Sequence, residues 1–231
     1  MLEYRNGGGR FYQEPALLET DLREVRRYMG MRGGEESPEV DALAERAVVE
    51  LIEKAAPAGI FRIVPLVTEA DGTIRAEGMR FQSRSLWRNL AGCERLVLMA
   101  ATLGAGVDRL LRQYSRLEVS RAVALQAAAA AMLEEFCDCF QEELGNILKR
   151  EGLYLRPRFS PGYGDFSLEH QKELVQSLQT AKNIGLTLTG GCMMAPTKSV
   201  TAVIGAGREA QPCHRKGCEA CGRTDCAFRR E

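Results

Sequence analysis

The sequence lacks any long apolar run. Its N-terminus, MLEYRNGGGRFYQEP, has no apolar signal-peptide core, and the most apolar segment, residues 122–133, is largely alanine and is interrupted by Gln126. A membrane-spanning helix needs roughly 18 or more consecutive apolar residues. The sequence therefore predicts a cytoplasmic protein with no membrane partner.

The sequence also lacks an excess of charge of either sign. Lys and Arg together number 31, as do Asp and Glu, and the net charge is zero. A basic excess is typical of proteins that bind nucleic acids or membrane surfaces, so neither is expected as a partner. The chain has only two histidines, His170 and His214, and no serine or cysteine nucleophile motif, which argues against an ordinary hydrolase. His170 is expected at the surface, on the solvated start of a helix.

Eight cysteines occur without an export signal, which indicates thiols or metal ligands rather than a disulfide framework. Cys93, Cys137, Cys139 and Cys192 lie in apolar contexts and are expected to be small core residues. Cys137 and Cys139 are two residues apart on a predicted helix. They should face different directions and cannot both serve one site.

The pattern of apolar residues predicts an α+β fold. Helices are expected near residues 15–30, 38–55, 83–90, 107–114, 120–149 and 168–182, and strands near 60–68, 73–76, 95–101, 184–189, 192–194 and 199–204. Asp71-Gly72 is a typical hairpin turn. Strands and helices do not alternate regularly, which argues against a doubly wound sheet. Residues 1–14, rich in glycine and polar groups, are expected to form a flexible arm.

A segment suited to binding an anionic small molecule begins at Arg158. Its guanidinium can make a two-point pair with a carboxylate or phosphate. Gly162 lacks the Cβ that would keep a ligand from the backbone, and Tyr163 can stack on a purine or donate its hydroxyl. The alternative is structural: Pro161-Gly162 is only a turn, Tyr163 a core ring and Arg158 a surface charge.

Three sequence blocks follow one another in this region. They are R-x-x-x-G-Y at Arg158, Gly162 and Tyr163, I-G-L-T-L-T at residues 184–189, and M-x-P-x-x-S at Met194, Pro196 and Ser199. In order and spacing they resemble the activation domain of cobalamin-dependent methionine synthase, in a short stand-alone form. Residues 27–30 (RYMG) and 100–104 (AATLG) are similar to two further blocks of that family, so the resemblance covers residues 15–207.

The resemblance implies a C-shaped α+β domain with a twisted antiparallel sheet flanked by helices. It also implies a groove for S-adenosylmethionine, in which Arg158 binds the methionyl carboxylate while Gly162 and Tyr163 shape the adenosyl pocket. In that family the domain docks on the cobalamin-carrying domain. It restores methylcobalamin from cob(II)alamin with one electron and the methyl group of S-adenosylmethionine. The methyl donor and the cobalt carry the chemistry, so no catalytic side chain is implied here.

The sequence departs from the family pattern in two places. The full-length family continues past the serine block with an aromatic-rich strand that helps to close the pocket, whereas this chain runs into REAQ and a cysteine-rich tail. An early acidic residue that binds S-adenosylmethionine in the family has no evident counterpart here. The chain also carries no substrate, folate or cobalamin domain. We therefore expect it to act on a separate cobalamin-binding methyltransferase or corrinoid protein.

The tail, residues 208–231, carries a candidate metal site. Cys213, Cys218, Cys221 and Cys226 have the spacing C-x4-C-x2-C-x4-C, and glycines at 217 and 222 allow tight turns. Tetrathiolate zinc is one candidate metal and a 4Fe–4S cluster is the other, with His214 as an alternative ligand to Cys213. Rescue of cob(II)alamin needs a low-potential electron, which favours the cluster.

The sequence thus predicts an auxiliary subunit for reductive reactivation of a cobalamin-dependent methyltransferase, methionine synthase being the first candidate. An electron donor is expected as a further partner, and the chain is not expected to be a complete methyltransferase alone. Two alternatives remain open. One is a non-enzymatic binding module whose tail is a structural zinc site, and the other is an iron–sulfur electron-transfer protein of corrinoid metabolism.

Overall fold

The computed structural model describes residues 1–5, 7–31 and 37–210. The strands are β1 (Leu2–Arg5), β2 (Gly8–Tyr12), β3 (Ala58–Pro65), β4 (Val67–Thr68), β5 (Thr73–Ala76), β6 (Met79–Gln82), β7 (Cys93–Thr102), β8 (Tyr154–Leu155), β9 (Thr187–Leu188), β10 (Met194–Ala195) and β11 (Ser199–Gly207). The helices are α1 (Leu22–Tyr28), α2 (Pro38–Lys54), α3 (Arg84–Asn89), α4 (Ala105–Leu117), α5 (Val119–Lys149), α6 (Gln171–Leu178) and α7 (Thr180–Ile184). Short 3-10 turns cover Pro15–Leu17 and Leu168–His170.

An antiparallel six-stranded sheet with the strand order β1-β2-β3-β7-β11-β8 organises the chain. Its central strands are nearly continuous apolar runs because both faces of the sheet are covered. The mixture of an antiparallel sheet with helices confirms the α+β prediction. None of the helices in the described ranges is long and apolar enough to cross a membrane.

The N-terminal residues form a hairpin rather than the expected flexible arm. Strand β1 pairs with β2, and β2 pairs with β3 from Gly8 opposite Arg62 to Tyr12 opposite Ala58. A Cβ on Gly9 would lie 1.7 Å from the carbonyl oxygen of Glu3, so glycine is required for this close pairing. The glycines that suggest a loose arm are therefore part of the sheet edge, and that prediction is wrong for residues 2–5 and 8–12.

Helices α1, α2, α4 and α5 share one hydrophobic cluster that also takes in one face of the sheet. The ring centroid of Phe11 lies 5.0 Å from that of Phe140 and 5.3 Å from that of Phe136. Alanines fill much of the first half of α5, so its backbone can approach its neighbours closely. Gly59 meets the same helix, since a Cβ there would lie 2.5 Å from the ring of Phe140.

The opposite face of the sheet contacts α3, α6, α7 and a small three-stranded sheet, β4-β5-β6. The predicted turn at Asp71-Gly72 joins β4 to β5, with Gly72 at a φ of 86°. The expected single helix over residues 168–182 is interrupted at Gln179, whose φ is 48°. His170 was predicted to lie at the surface, but it packs against other side chains. It stacks on Phe166 at 5.2 Å and its Nδ1 lies 2.8 Å from Glu173.

Candidate functional site

A cavity of about 710 Å³ opens between helix α5 and strand β11. Its wall is formed by part of α5, residues 155–161 with Tyr163, the first residue of α6, and residues of β10 and β11. Arg158 and Tyr163 line it, as do Met194 and Ser199 of the M-x-P-x-x-S block. The structure therefore brings together residues from two of the three sequence blocks.

The cavity forms where the chain leaves the edge of the main sheet. Phe159 and Val203 exchange two backbone hydrogen bonds of 2.9 Å, and the Arg156 amide donates to the Gly205 carbonyl at 2.7 Å. Pro161, two residues after Phe159, has no amide hydrogen, so the backbone hydrogen bonding with β11 cannot continue. No described strand covers this edge of β11 beyond Val203, and the cavity occupies the space.

Arg158 is the central charged group of the cavity wall. Its Nη2 lies 2.7 Å from Asp138 and 3.3 Å from Glu134, while its Nη1 donates to Gln141 Oε1 at 3.2 Å. The three partners lie at i, i+4 and i+7 along α5, which places them on one helix face. The Arg158 side chain is 19% exposed, whereas those of Glu134 and Asp138 are 54% and 68% exposed. The arginine was predicted from the sequence, but its acidic partners were not, although their helical spacing was a signal that could have indicated them.

Cys137 also lines the cavity, whereas Cys139 does not, and its Sγ lies 3.6 Å from Glu135 Oε1. The prediction that the two cysteines face different directions is confirmed. Burial raises the pKa of the Cys137 thiol to about 12, against a smaller opposing effect of Arg158. Cys137 is thus a neutral thiol at ordinary pH rather than a metal ligand or a nucleophile.

The turn after the arginine exposes an aromatic ring. Gly162 has a φ of 96°, a conformation that favours glycine, and its amide donates to the Phe166 carbonyl at 2.7 Å. Gly162 is not among the residues that line the cavity. Its role here is to shape the turn. Tyr163 is 69% exposed at the cavity, so the alternative of a buried core ring is wrong.

Asp165 fastens this turn to the start of α3. Its carboxylate accepts hydrogen bonds from the Ser83 hydroxyl at 2.7 Å and from the amides of Arg84 and Ser85 at 2.7 and 3.0 Å. The Ser83 and Ser85 bonds hold the pKa of Asp165 well below its usual range. The turn that carries Tyr163 is therefore tied to a segment about 80 residues away in sequence.

The serine block is also fixed by local bonds. Ser199 Oγ donates to the Pro196 carbonyl at 2.7 Å and lies 2.8 Å from Thr102 Oγ1. The Ala195–Pro196 peptide is cis, and the following Thr197 amide and hydroxyl both donate to Asp108. Ser199 therefore serves to shape the wall, and its hydrogen bonds within the described residues go to Thr102 and Pro196, neither of which is a base that would make it a nucleophile.

Three residues of the wall carry buried polar atoms without a hydrogen-bond partner in the described part of the chain. They are Oε1 of Gln171, Oγ1 of Thr201 and Nε of Arg156. Buried polar groups in proteins almost always have a partner. Because these three atoms are themselves shielded from solvent, they lie behind the surface of the cavity and do not face a ligand in it.

The predicted metal ligands Cys213, Cys218, Cys221 and Cys226, together with His214, lie outside the described residues. Within residues 1–5, 7–31 and 37–210, no three His, Cys, Asp or Glu side chains are grouped to hold a metal ion. The described chain ends at Ala210, next to the cavity wall. Arg156 Nη1 donates to the carbonyl of the preceding Glu209 at 3.1 Å.

A search of solved structures finds the same fold in another protein. The structure described as "Crystal Structure of the MetH Reactivation Domain bound to AdoHcy" superimposes with a TM-score of 0.67 and 16% identity, over 91% of this chain and 82% of that chain. At this identity the likeness shows the fold alone. By sequence, no curated protein matches the chain.

The sequence model of the family "Vitamin B12 dependent methionine synthase, activation domain" matches residues 91–218. The match takes in α5, the cavity segment, the serine block and β11, and it covers more than half of the 231-residue chain. It confirms the family resemblance seen in the three sequence blocks. The chain belongs to the activation-domain family of vitamin B12-dependent methionine synthase.

Proposed function

We propose that this protein binds S-adenosylmethionine in the cavity and acts as an auxiliary subunit in reductive reactivation of a cobalamin-dependent methyltransferase. The observation that carries the proposal is Arg158 in the cavity wall beside Glu134 and Asp138. S-adenosylmethionine has one carboxylate and two cationic centres, the ammonium and the sulfonium. A guanidinium flanked by two accessible carboxylates matches that arrangement of charge.

Arg158 keeps hydrogen-bonding capacity for a ligand despite its acidic neighbours. A guanidinium has five N–H donors, and three polar contacts are made, through Nη1 to Gln141 and through Nη2 to Glu134 and Asp138. Nε makes no contact in the described part of the chain, so it can donate a hydrogen bond to the methionyl carboxylate, and a two-point pair would use Nε together with Nη2, which lie on the same side of the guanidinium. Because Glu134 and Asp138 are half exposed or more, they can turn toward the ammonium group without a large desolvation cost.

The rest of the wall suits the nucleoside. The exposed ring of Tyr163 offers a face for stacking on adenine. Gly162 supports this surface by allowing the turn. The fixed hydrogen bonds of Asp165 and Ser199 keep the wall in shape before the ligand binds, which lowers the cost of binding.

When bound, S-adenosylmethionine supplies a methyl group whose bond to sulfur breaks with the electron pair left on sulfur, so that S-adenosylhomocysteine departs. A separate donor provides one electron to the cob(II)alamin of the partner, and the methyl group goes to the reduced cobalt. Residues of this chain bind and orient the donor, and none needs to move a proton.

The cysteine tail is proposed to hold a 4Fe–4S cluster through Cys213, Cys218, Cys221 and Cys226. The support is the close four-cysteine spacing, the start of the tail beside the cavity residue Arg156, and the need for an electron at that place. Anaerobically purified protein is expected to be brown and to contain iron, and replacing a tail cysteine by serine should remove both. Cys139→Ser is the control. Colourless protein with bound zinc would instead support a structural zinc site.

Reactivation can be tested directly. The protein is mixed with the cob(II)alamin form of a cobalamin-binding methyltransferase, S-adenosylmethionine and a reductant, and the visible spectrum should change to that of methylcobalamin. Arg158→Ala should abolish the change. Arg121→Ala, which breaks an ion pair between Arg121 on α5 and Glu50 on α2, should not.

Two outcomes would favour the alternative functions. A folded protein that binds S-adenosylmethionine but gives no methylcobalamin would be a binding module. A protein that reduces cob(II)alamin without binding S-adenosylmethionine would be an electron-transfer protein.

A further inference from the structure

A smaller cavity lies at the opposite edge of the main sheet from the cavity around Arg158. Its volume is about 260 Å³, and its wall includes Arg5 of β1, Gly8 of β2 and Arg62 of β3. The two cavities share no lining residue, since the larger one lies at the β11–β8 edge. Pockets for drug-sized ligands have volumes of about 300–1,000 Å³. The smaller cavity therefore suits a small ligand, and we name it the basic cavity.

Strand pairing and one glycine create the basic cavity. Arg5 lies opposite Gly8, and Gly8 lies opposite Arg62, so the three residues form one row across three strands. Side chains in such a row stand on the same face of the sheet. The middle residue has no side chain, and a Cβ added to Gly8 would lie 3.8 Å from Arg62 Cγ. The sheet thus has a gap between two arginine side chains.

Helix α7 covers the gap and adds polar groups to it. Arg10 lies in the next row, and its Nη2 donates to Asn183 Oδ1 at 2.5 Å. Asn183 Nδ2 donates to the Leu178 carbonyl at 2.9 Å, which leaves its second hydrogen available. The Gln179 side chain also lines the cavity and makes no hydrogen bond within the described ranges. Two side-chain amides can therefore donate to a ligand in the gap.

The charges around the basic cavity do not cancel. Arg62 Nη1 donates to Glu77 Oε1 at 2.9 Å, and both side chains of this pair are about 40% exposed. Glu3 lies opposite Arg10, as a second acid beside the cavity. Arg5 is exposed and has no acidic partner in the described part of the chain. Three arginines with two acids leave an excess of positive charge, which attracts an anion.

We infer that the basic cavity binds a phosphate group. One guanidinium fork satisfies the two oxygens of a carboxylate, whereas a phosphate group has at least three acceptor oxygens. Two arginines facing each other across the gap, together with two amides, match the larger number of acceptors. The missing side chain of Gly8 lets the group approach the sheet closely. Inorganic phosphate and a small phosphate ester share this chemistry. The inference does not depend on the proposed function.

Calorimetric titration of the full chain with inorganic phosphate at constant ionic strength tests the inference. Arg5→Gln is expected to weaken binding about tenfold or more, because a charge-assisted hydrogen bond is lost. Arg112→Gln is the matched control, since Arg112 is also exposed and has no acidic partner in the described ranges. It lies on α4, which packs on the other face of the sheet. Its affinity for phosphate should equal that of wild type.

A second pair of variants should act in the opposite direction. Glu77→Gln removes the acid that competes for Arg62, so phosphate binding should tighten about fivefold, the effect of one charge in water-like surroundings. Glu69→Gln is its control, because it breaks a similar exposed ion pair, with Arg75 at 2.6 Å, that does not line the cavity. Equal tightening by both variants would reflect net charge alone and would overturn the inference. This pair keeps the test decisive if Arg5→Gln does not fold.

Two further probes define the ligand, glycerol 3-phosphate and acetate. If both inorganic phosphate and the ester bind, and Arg5→Gln weakens both, the phosphate group itself is recognised. If one of them binds in this way and the other does not, the inference stands and the source of the group is identified. Acetate binding as tight as phosphate binding, unchanged phosphate affinity in Arg5→Gln, or no binding of either phosphate compound by the wild-type protein would overturn it.

Discussion

Nη2 of Arg158 donates to the carboxylate of Asp138 at 2.7 Å across the wall of the cavity. Glu134 lies 3.3 Å from the same nitrogen, so one cationic and two anionic groups share a single patch. A purely anionic ligand would meet repulsion from the two acids. S-adenosylmethionine has one carboxylate and two positive charges, so the arginine can attract its carboxylate and the two acids can attract its positive charges.

The acids should discriminate between methyl donor and product. The double variant Glu134→Gln/Asp138→Asn is expected to weaken the binding of S-adenosylmethionine more than the binding of S-adenosylhomocysteine, because only S-adenosylmethionine carries the sulfonium charge. A unit charge at ~4 Å in water-like surroundings is worth about 1 kcal/mol, so the difference should be about fivefold. Calorimetric titration of both ligands checks this. Equal weakening of the two would show that the acids do not sense the sulfonium.

The hydrogen bonds of Asp165 should stabilise the turn that carries Tyr163, and this stabilisation should depend on pH. Asp165→Asn is expected to lower the midpoint of thermal unfolding and to weaken S-adenosylmethionine binding, because the turn with Tyr163 loses its tie to α3. Glu173→Gln on α6 is the control. Gln179→Ala is not suitable, because Gln179 has a positive φ.

The sign of the pH effect follows from the lowered pKa of Asp165. A carboxyl that ionises more easily in the folded state contributes stability above its unfolded pKa of about 3.9 and loses it as pH falls through the folded pKa. The difference in urea stability between wild type and Asp165→Asn should therefore be constant at about pH 5 to 8 and should shrink below about pH 4. A difference that grows on acidification would contradict this assignment.

Cys137 should be protected from thiol reagents in the native protein. Its pKa is raised to about 12 by burial, so almost no thiolate is present at about pH 8, where an unperturbed cysteine has begun to ionise. Iodoacetamide labelling followed by peptide mass spectrometry should leave Cys137 unmodified until urea is added. Native-state stability should also fall as pH rises above about 8.5, since only the unfolded thiol ionises there. Rapid native labelling would show that this wall of the cavity opens.

The contact between β3 and α5 should depend on a missing Cβ. Gly59→Ala is expected to destabilise the protein by about 1–3 kcal/mol, because the new methyl group would lie 2.5 Å from Phe140. Gly190→Ala is the control, since a Cβ there meets nothing within 4 Å. Urea unfolding of the two variants measures the difference. Equal free energies of unfolding for the two variants would mean that α5 moves away from the new methyl group without loss of stability.

The parts of the fold that local sequence determines could be predicted. Pro38 begins α2 as expected, Asp71-Gly72 forms the hairpin turn, and β7 contains the buried apolar run that was predicted to be a strand. Each of these depends on residues close in sequence. The N-terminal hairpin was missed because its glycines suggest a flexible segment, whereas its strand identity comes from pairing with β3 about 50 residues away.

The candidate site likewise contains residues that could be predicted from the sequence and residues that could not. Arg158 and Tyr163 were predicted from their block and do line the cavity. Glu134, Asp138 and Gln171 were missed, because they join the site only when α5 and α6 pack beside β11. The break at Gln179 had no sequence signal, since glutamine has no preference for a positive φ.

The central claim is that the cavity around Arg158 binds S-adenosylmethionine, and calorimetric titration of the full chain tests it most directly. The wild-type protein should bind one equivalent, Arg158→Ala should bind at least about tenfold more weakly, and Arg158→Lys should recover only part of the loss because lysine lacks the planar fork. Arg121→Ala should bind as wild type does. Absence of binding by the folded wild-type protein, or equal binding by Arg158→Ala, would contradict the claim.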